Sequence, residues 1–223
     1  MTIWLATGNI HKKKELSDIL LSAFPKNNGF LTPSIKIKIP SDVGIDFEPD
    51  ENGNSFSQNA LIKAGELYRL IVKDSKSGWL PGDSLIADDS GICVDALQGR
   101  PGIYSARFGG AELDASQKNS LLLRELGDNK HRTARFVCAM VLYFNPDRFF
   151  IAQETIEGEI VENEESVRGK GGFGYDPVFY IPDLSCTAAE LSDEEKNIYS
   201  HRGKAGRIIA KILFENIPVQ SIG

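Results

Sequence analysis

Cysteine is scarce. The 223 residues hold three, Cys93, Cys138 and Cys186, scattered and odd in number. Without a Cys-x-x-Cys pair, neither a disulfide framework nor a thiolate zinc site is expected. A reducing cytoplasm fits such a pattern. Histidine is as rare: His11, His131 and His201 are all there are. They form no H-x-x-x-H spacing, so zinc is not supported. Long apolar runs are missing too. The longest, Phe136 to Phe144, falls far short of the roughly 20 residues a membrane helix needs. Met1-Thr2-Ile3-Trp4-Leu5-Ala6 has no basic start and no long apolar stretch, so no signal peptide is expected. The G-x-S-x-G nucleophile elbow is absent. So is the G-x-x-x-x-G-K-[ST] phosphate loop. Basic residues are outnumbered, 25 to 31, for a net charge of -6. That argues against a broad nucleic-acid or anionic-membrane surface but leaves room for a local phosphate pocket.

What is present is ordinary for a globular protein: 41% hydrophobic and 25% charged residues. The length suits one large domain or two small ones. No repeat, low-complexity tract or linker divides it. Ile3 to Ala6 reads as a short buried strand. Leu16, Ile19, Leu20, Ala23 and Phe24 then recur at helical spacing, and Pro25 with Asn27-Asn28-Gly29 should end that helix. Ile35 to Ile39 alternates like a half-exposed strand, and Asp46 to Glu51 reads as loop. A second helix is expected over Ser55 to Lys73, with a stripe of Phe56, Ala60, Ala64, Leu67 and Ile71. Leu85-Ile86-Ala87 is a short apolar strand. Asp114 and Gln117 form a capping box for a third helix, with Leu121, Leu122 and Leu126 on its apolar face and Gly127 as its stop. Thr133 to Phe144 and Phe149 to Ile156 should pair as a hairpin around Asn145-Pro146-Asp147. Val178 to Ile181 is a further strand. Ser192 and Glu195 make another capping box, and a last helix carries Ile208, Ile209, Ile212 and Leu213. The sum is a mixed α/β domain with a partly antiparallel sheet.

Four segments could carry chemistry. The first is the strand–Thr7-Gly8-Asn9–helix junction. A helix start offers free N–H groups and a positive dipole end for phosphate, and Gly8 allows close approach. Lys12, Lys13 and Lys14 oppose that dipole, so they either serve a bound polyanion or form a solvated basic turn. The second is Asp88-Asp89-Ser90-Gly91, at the expected C-terminal end of a strand. Neighbouring strand residues face opposite ways, so the two carboxylates should have different jobs. One could hold Mg²⁺. An acidic turn is the bland reading. The third is Gly169 to Gly174, which formally matches G-x-G-x-x-G. It follows no strand and opens no helix, so a dinucleotide fingerprint is rejected. The loop presents Phe173, Tyr175 and Asp176, which could stack on a base and bond its edge. The fourth runs from Ser192 to Arg202, with Lys196 and the His201-Arg202 pair. Lys63 lies on or beside the stripe of its helix, where it either snorkels to water or points into a polar site.

Together these segments resemble the inosine triphosphate pyrophosphatase family. The resemblance runs from Leu5-Ala6-Thr7-Gly8-Asn9 to Ser200-His201-Arg202-Gly203-Lys204-Ala205. Its most specific blocks are Ala87 to Gly91, Gly99-Arg100-Pro101-Gly102-Ile103-Tyr104-Ser105-Ala106-Arg107-Phe108, Gly171 to Pro177, and Ala189-Glu190-Leu191 through His201-Arg202. The resemblance implies a long twisted sheet flanked by helices, a single domain over residues 1–223, in one body or in two lobes around a central nucleotide cleft, Mg²⁺ dependence and a cytoplasmic homodimer. It implies cleavage of ITP, dITP and XTP to a monophosphate and pyrophosphate. Thr7, Gly8, Asn9 and Lys12 would hold the triphosphate with help from Lys63. Asp89 would be general base and metal ligand, and Ser90 a substrate contact. Phe173, Gly174, Tyr175, Asp176, Lys196, His201 and Arg202 would form the base pocket. A second metal carboxylate belongs just before Phe56, where Asp50 and Glu51 both fit. The family often has an acidic pair before Asn-Ala where this chain has Ser57-Gln58, and the segment 25–46 is longer than usual. Maf-like pyrophosphatases with other base preferences, or a nucleotide sensor without turnover, are the alternatives.

Overall fold

The computed structural model of the chain describes residues 1–23 and 35–216. Seven strands make one sheet: β1 (Thr2–Leu5), β2 (Lys36–Lys38), β3 (Ser84–Val94), β4 (Thr133–Asn145), β5 (Arg148–Ile160), β6 (Phe179–Ile181) and β7 (Cys186–Thr187). Their spatial order is β2-β1-β3-β4-β5-β6-β7. The helices are α1 (Ile10–Ser22), α2 (Phe56–Lys73), α3 (Ala115–Leu126), α4 (Asp193–Tyr199) and α5 (His201–Asn216). β1 pairs parallel with β2 and β3. β6 pairs antiparallel with β5 and β7. Only Pro146 and Asp147 join β4 to β5, and so short a link makes an antiparallel hairpin. The chain is therefore the expected mixed α/β fold with a partly antiparallel sheet flanked by helices.

Contacts divide the chain into two compact units. The first is Met1–Asp89, Ala139–Gln153 and Ala205–Gly223; the second is Ser90–Cys138 and Glu154–Lys204. In the first, the chain leaves β1 through α1 to β2, then returns through α2 to β3 on the other side of β1. Since parallel crossovers are right-handed as a rule, two that run in opposite directions place their helices, α1 and α2, on opposite faces of the sheet. Ser55 caps α2, its hydroxyl accepting the Gln58 N–H at 3.2 Å. The α2 stripe Ala60, Ala64, Leu67 and Ile71 packs on Trp4, Ala6, Leu85, Ala87 and Val141. Leu67, Ile71, Leu85 and Val141, fully buried, each contribute roughly 1.5–3 kcal/mol.

In the second unit, α3 starts at the Asp114–Gln117 capping box and stops at Gly127. Its buried Leu122 and Leu126 join Ile92, Val94, Phe136, Val178 and Phe179 in one core. The Ser192–Glu195 box starts α4.

Several boundaries differ from the sequence reading. β1 starts and ends one residue earlier than expected. β3 does not stop at Ala87 but runs on through Asp88, Asp89 and Ser90 to Val94. The carboxylates are thus inside a strand, beyond the point where its parallel partner β1 ends at Leu5↔Ile86. Val178 precedes β6. On α3, Leu123 is buried while Leu121 is only partly so. On α5, Ile209 and Leu213 are buried but Ile208 is exposed. Phe24 and the expected stop at Pro25 and Asn27-Asn28-Gly29 lie outside the described residues, as does part of the long 25–46 segment. No described helix is long and apolar enough to cross a membrane.

Candidate active site

In the first unit the junction after β1 is built from its own side chains. The Thr7 hydroxyl accepts the Asn9 N–H at 3.0 Å, which leaves the Thr7 O–H as a donor. Asn9 Oδ1 accepts the Lys12 N–H at 3.2 Å and so caps α1. Around Gly8 the space is open: among the described residues other than its neighbours Thr7 and Asn9, no atom lies within 4 Å of where a Cβ would stand. Lys12 then reaches back to Asp88, its Nζ lying 3.2 and 3.3 Å from the two carboxylate oxygens. Lys13 instead meets Asp42 at 2.7 Å. The basic turn therefore has one lysine aimed at the β3 carboxylates and one held at the surface.

Asp89 faces α2. Lys63 donates to Asp89 Oδ1 and to the Asp88 carbonyl, both at 3.1 Å. It also pairs with Glu51 Oε2 at 3.0 Å. Lys63 does not snorkel: it is 7% exposed. Burial alone would push its ammonium below the ordinary lysine range, but Asp89, Asp88 and Glu51 outweigh that and hold it above. Asn59, one turn earlier, donates to Asp89 Oδ2 at 3.1 Å. Each Asp89 oxygen thus has a donor and keeps further acceptor capacity.

Asp50 and Glu51 are now distinguished by placement. Glu51 reaches Lys63, whereas Asp50 is exposed and accepts from the Asn52 amide at 3.1 Å. Gln58 stands outside this cluster: its side-chain oxygen accepts the Asn54 N–H at 2.7 Å. Ser57 bonds Gln153 at 3.1 Å. The missing acidic pair is therefore replaced by groups that anchor the loop and β5. Among the described residues no group of three His, Cys, Asp or Glu is placed to hold a metal ion. Asp89 and Glu51, sharing one ammonium, offer instead two hard oxygen ligands. That suits Mg²⁺, which takes one or two carboxylates and completes its shell from water and phosphate.

The second unit gathers the aromatic loop. Asp176 accepts the Phe173 N–H at 2.8 Å and the Lys196 ammonium at 2.5 Å. Gly172, at φ +73°, packs against both groups, and a Cβ there would overlap them. The Phe173 ring is 47% exposed. The Arg202 guanidinium lies 5.2 Å from its centroid and the Lys196 ammonium 5.7 Å, within cation–π range. Arg202 is 1% exposed and donates to the Ser90 hydroxyl at 2.7 Å. His201 stacks on Phe136, centroids 5.0 Å apart. The Gly174 carbonyl accepts from Asn119 at 3.2 Å. Tyr175 is buried, its hydroxyl donating to the Ser105 carbonyl at 2.9 Å. Burial pushes that hydroxyl well above the usual tyrosine range.

The structure thus brings Lys12 and Lys63 to the β3 carboxylates Asp88 and Asp89, with Glu51 on the same Lys63 ammonium, and Phe173, Asp176, Lys196 and Arg202 to one aromatic loop. Sequence reasoning missed Asn59 and Asn119. Asn59 had a signal: an amide beside the apolar stripe of α2, four residues before Lys63.

The whole chain has relatives. A dITP/XTP pyrophosphatase of Treponema denticola is 43% identical over 208 residues, 92% of this chain and 94% of that protein. One of Thioalkalivibrio sulfidiphilus is 44% identical over 217 residues, 96% of this chain and 98% of that protein. Among solved structures, the Staphylococcus aureus Ham1 protein superposes with a TM-score of 0.78 at 32% identity, covering 96% of this chain and 99% of that one. A nucleoside-triphosphatase / dITP/XTP pyrophosphatase of Mycobacterium abscessus gives 0.66 at 38% identity, over 92% and 95%. The Ham1 family profile matches residues 3–212. The β3 carboxylates with their lysines, the aromatic loop and these likenesses agree: the chain belongs to the Ham1 family.

Proposed function

We propose that this protein is a nucleoside-triphosphate pyrophosphatase that hydrolyses dITP, ITP and XTP to the monophosphate and pyrophosphate. The observation that carries the reading is Asp89, buried and fixed by Lys63 and Asn59 beside the Lys12–Asp88 pair, in a chain whose relatives are named dITP/XTP pyrophosphatases. Thr7, Gly8, Asn9 and Lys12 take the triphosphate, joined by Lys63. Asp89 accepts the proton of a water that attacks the α-phosphorus in line, and pyrophosphate leaves. Asp89 and Glu51 would hold Mg²⁺, which when bound would offset the charge on the phosphate oxygens. Asp50 is left out of that set.

The base goes to the aromatic loop. Phe173 stacks on it, and Arg202 and His201 donate to the 6-keto oxygen that hypoxanthine and xanthine carry. Ser90, next to Asp89 on β3, fixes Arg202. Gly174 gives a backbone edge to the pocket, while Asp176 and Lys196 hold the loop. Tyr175, its hydroxyl committed to Ser105, supports the loop from behind. The reading extends to a homodimer in a reducing cytoplasm. Cys93, Cys138 and Cys186 are not joined in a disulfide, and sedimentation would give the mass of the assembly.

Pyrophosphate release from ITP, XTP, dITP, GTP and dTTP with Mg²⁺ tests the reading. Turnover of the first three, well above GTP and dTTP, is expected. Binding without turnover of any of them would make the protein a sensor. A preference for dTTP would make it Maf-like.

A further inference from the structure

Asn59 has no exposed surface (0%) and stands beside the apolar stripe of α2. A buried amide is costly unless both its ends are hydrogen-bonded. Here both are. Nδ2 donates to Asp89 Oδ2 at 3.1 Å. Oδ1 accepts the Gly53 N–H at 2.8 Å. A carboxylate only accepts and an N–H only donates, so the chemistry of the partners fixes which way the amide points. Gly53 comes so near that a Cβ on it would lie 2.7 Å from Asn59 Oδ1 and 2.8 Å from Gln58 Cβ. Gly53 is two residues past Glu51, and Glu51 shares the Lys63 ammonium with Asp89.

We propose that Asn59 is a positioning residue that ties the Asp89 carboxylate to the Glu51 loop, so that the two carboxylates bind a divalent cation as a pair. The inference rests on the pyrophosphatase reading. Lys63 brings charge to both carboxylates; Asn59, being neutral, brings orientation. Packing alone does not ask for an amide here, since leucine has nearly the same shape and Phe56 and Ala60, which flank the position on α2, are buried and apolar. Groups that orient metal ligands from behind typically matter 10–100-fold in metal affinity.

The test is Mn²⁺ binding to nucleotide-free protein, read from the EPR signal of the free ion. It needs no turnover. Asn59→Leu and Gly53→Ala should each weaken Mn²⁺ binding about 10–100-fold. Each should raise the Mg²⁺ needed for half-maximal turnover by the same factor, while KM for ITP at saturating Mg²⁺ stays within about threefold. The double variant should bind no more weakly than the worse single one, because both changes cut the same tie. If Asn59→Leu fails to fold, Gly53→Ala, placed on a loop, carries the test. Wild-type Mn²⁺ affinity in either folded variant, or losses that add, would overturn the proposal and leave Asn59 a packing residue. A wild-type protein that neither binds Mn²⁺ nor releases pyrophosphate would instead overturn the pyrophosphatase reading, and the tie with it.

Discussion

Lys63 and Asp89 meet at 3.1 Å with both side chains about nine-tenths buried. A buried pair of this kind is costly to break from one side, by about 3–5 kcal/mol. Here Glu51 and the Asp88 carbonyl also hold Lys63, so loss of the Asp89 charge leaves the ammonium with partners.

Asp89→Asn is therefore expected to fold and to bind nucleotide, yet to lose about 10²–10⁴ in turnover, the range of a general base. Pyrophosphate release and nucleotide affinity, measured separately, check it. Turnover near wild type would remove Asp89 from the proton transfer.

Lys12→Ala should raise KM for ITP by the equivalent of about 1.5–3 kcal/mol, a hydrogen bond to a charged group. It should also lower the melting temperature, because Asp88, 2% exposed, loses its ammonium. Adding Asp88→Asn should recover melting temperature without recovering KM. Recovery of both together would show that Lys12 serves the fold and not the phosphate.

Phe173→Ala should weaken ITP, XTP and ATP alike, by about 1–3 kcal/mol, since stacking is blind to base identity. Arg202→Ala should narrow the gap between ITP and ATP in kcat/KM, because guanidinium donors match a keto oxygen and leave an amino group unpaired. An ITP preference kept in full by folded Arg202→Ala would put base reading elsewhere.

Tyr175 sets an alkaline limit. Its hydroxyl ionises at higher pH in the folded chain than in the unfolded one, because burial disfavours the phenolate. The folded state then holds more protons, so the contribution is complete below about pH 10 and falls as pH rises beyond it. Tyr175→Phe loses the bond to Ser105 and should be less stable near neutral pH, but its stability should decline less steeply above pH 10. Denaturant unfolding of both proteins across that range decides; parallel curves would refute the assignment.

Local rules made much of this legible. The capping boxes at Asp114 and Ser192 and the stripe from Phe56 to Ile71 each rest on residues three or four apart. β3 was misread for the opposite reason. Asp88, Asp89 and Ser90 interrupt an apolar pattern, and what lets them stay inside the strand is Lys12, Lys63 and Arg202, 76, 26 and 112 positions away. The same distance hid Asn59. That Glu51 pairs with the Lys63 ammonium while Asp50 bonds Asn52 is likewise given by no spacing rule.

Because β3 hands alternate residues to alternate faces, Asp88 answers to α1 and Asp89 to α2. Adding or deleting one residue between Ile86 and Asp88 would exchange those addresses. Lys12 would then meet the wrong carboxylate, and Asn59 and Lys63 the other, although all five of these polar side chains survived. The strand thus tolerates substitution more readily than a change of length: a frame of two, counted along the backbone, has to be inherited intact.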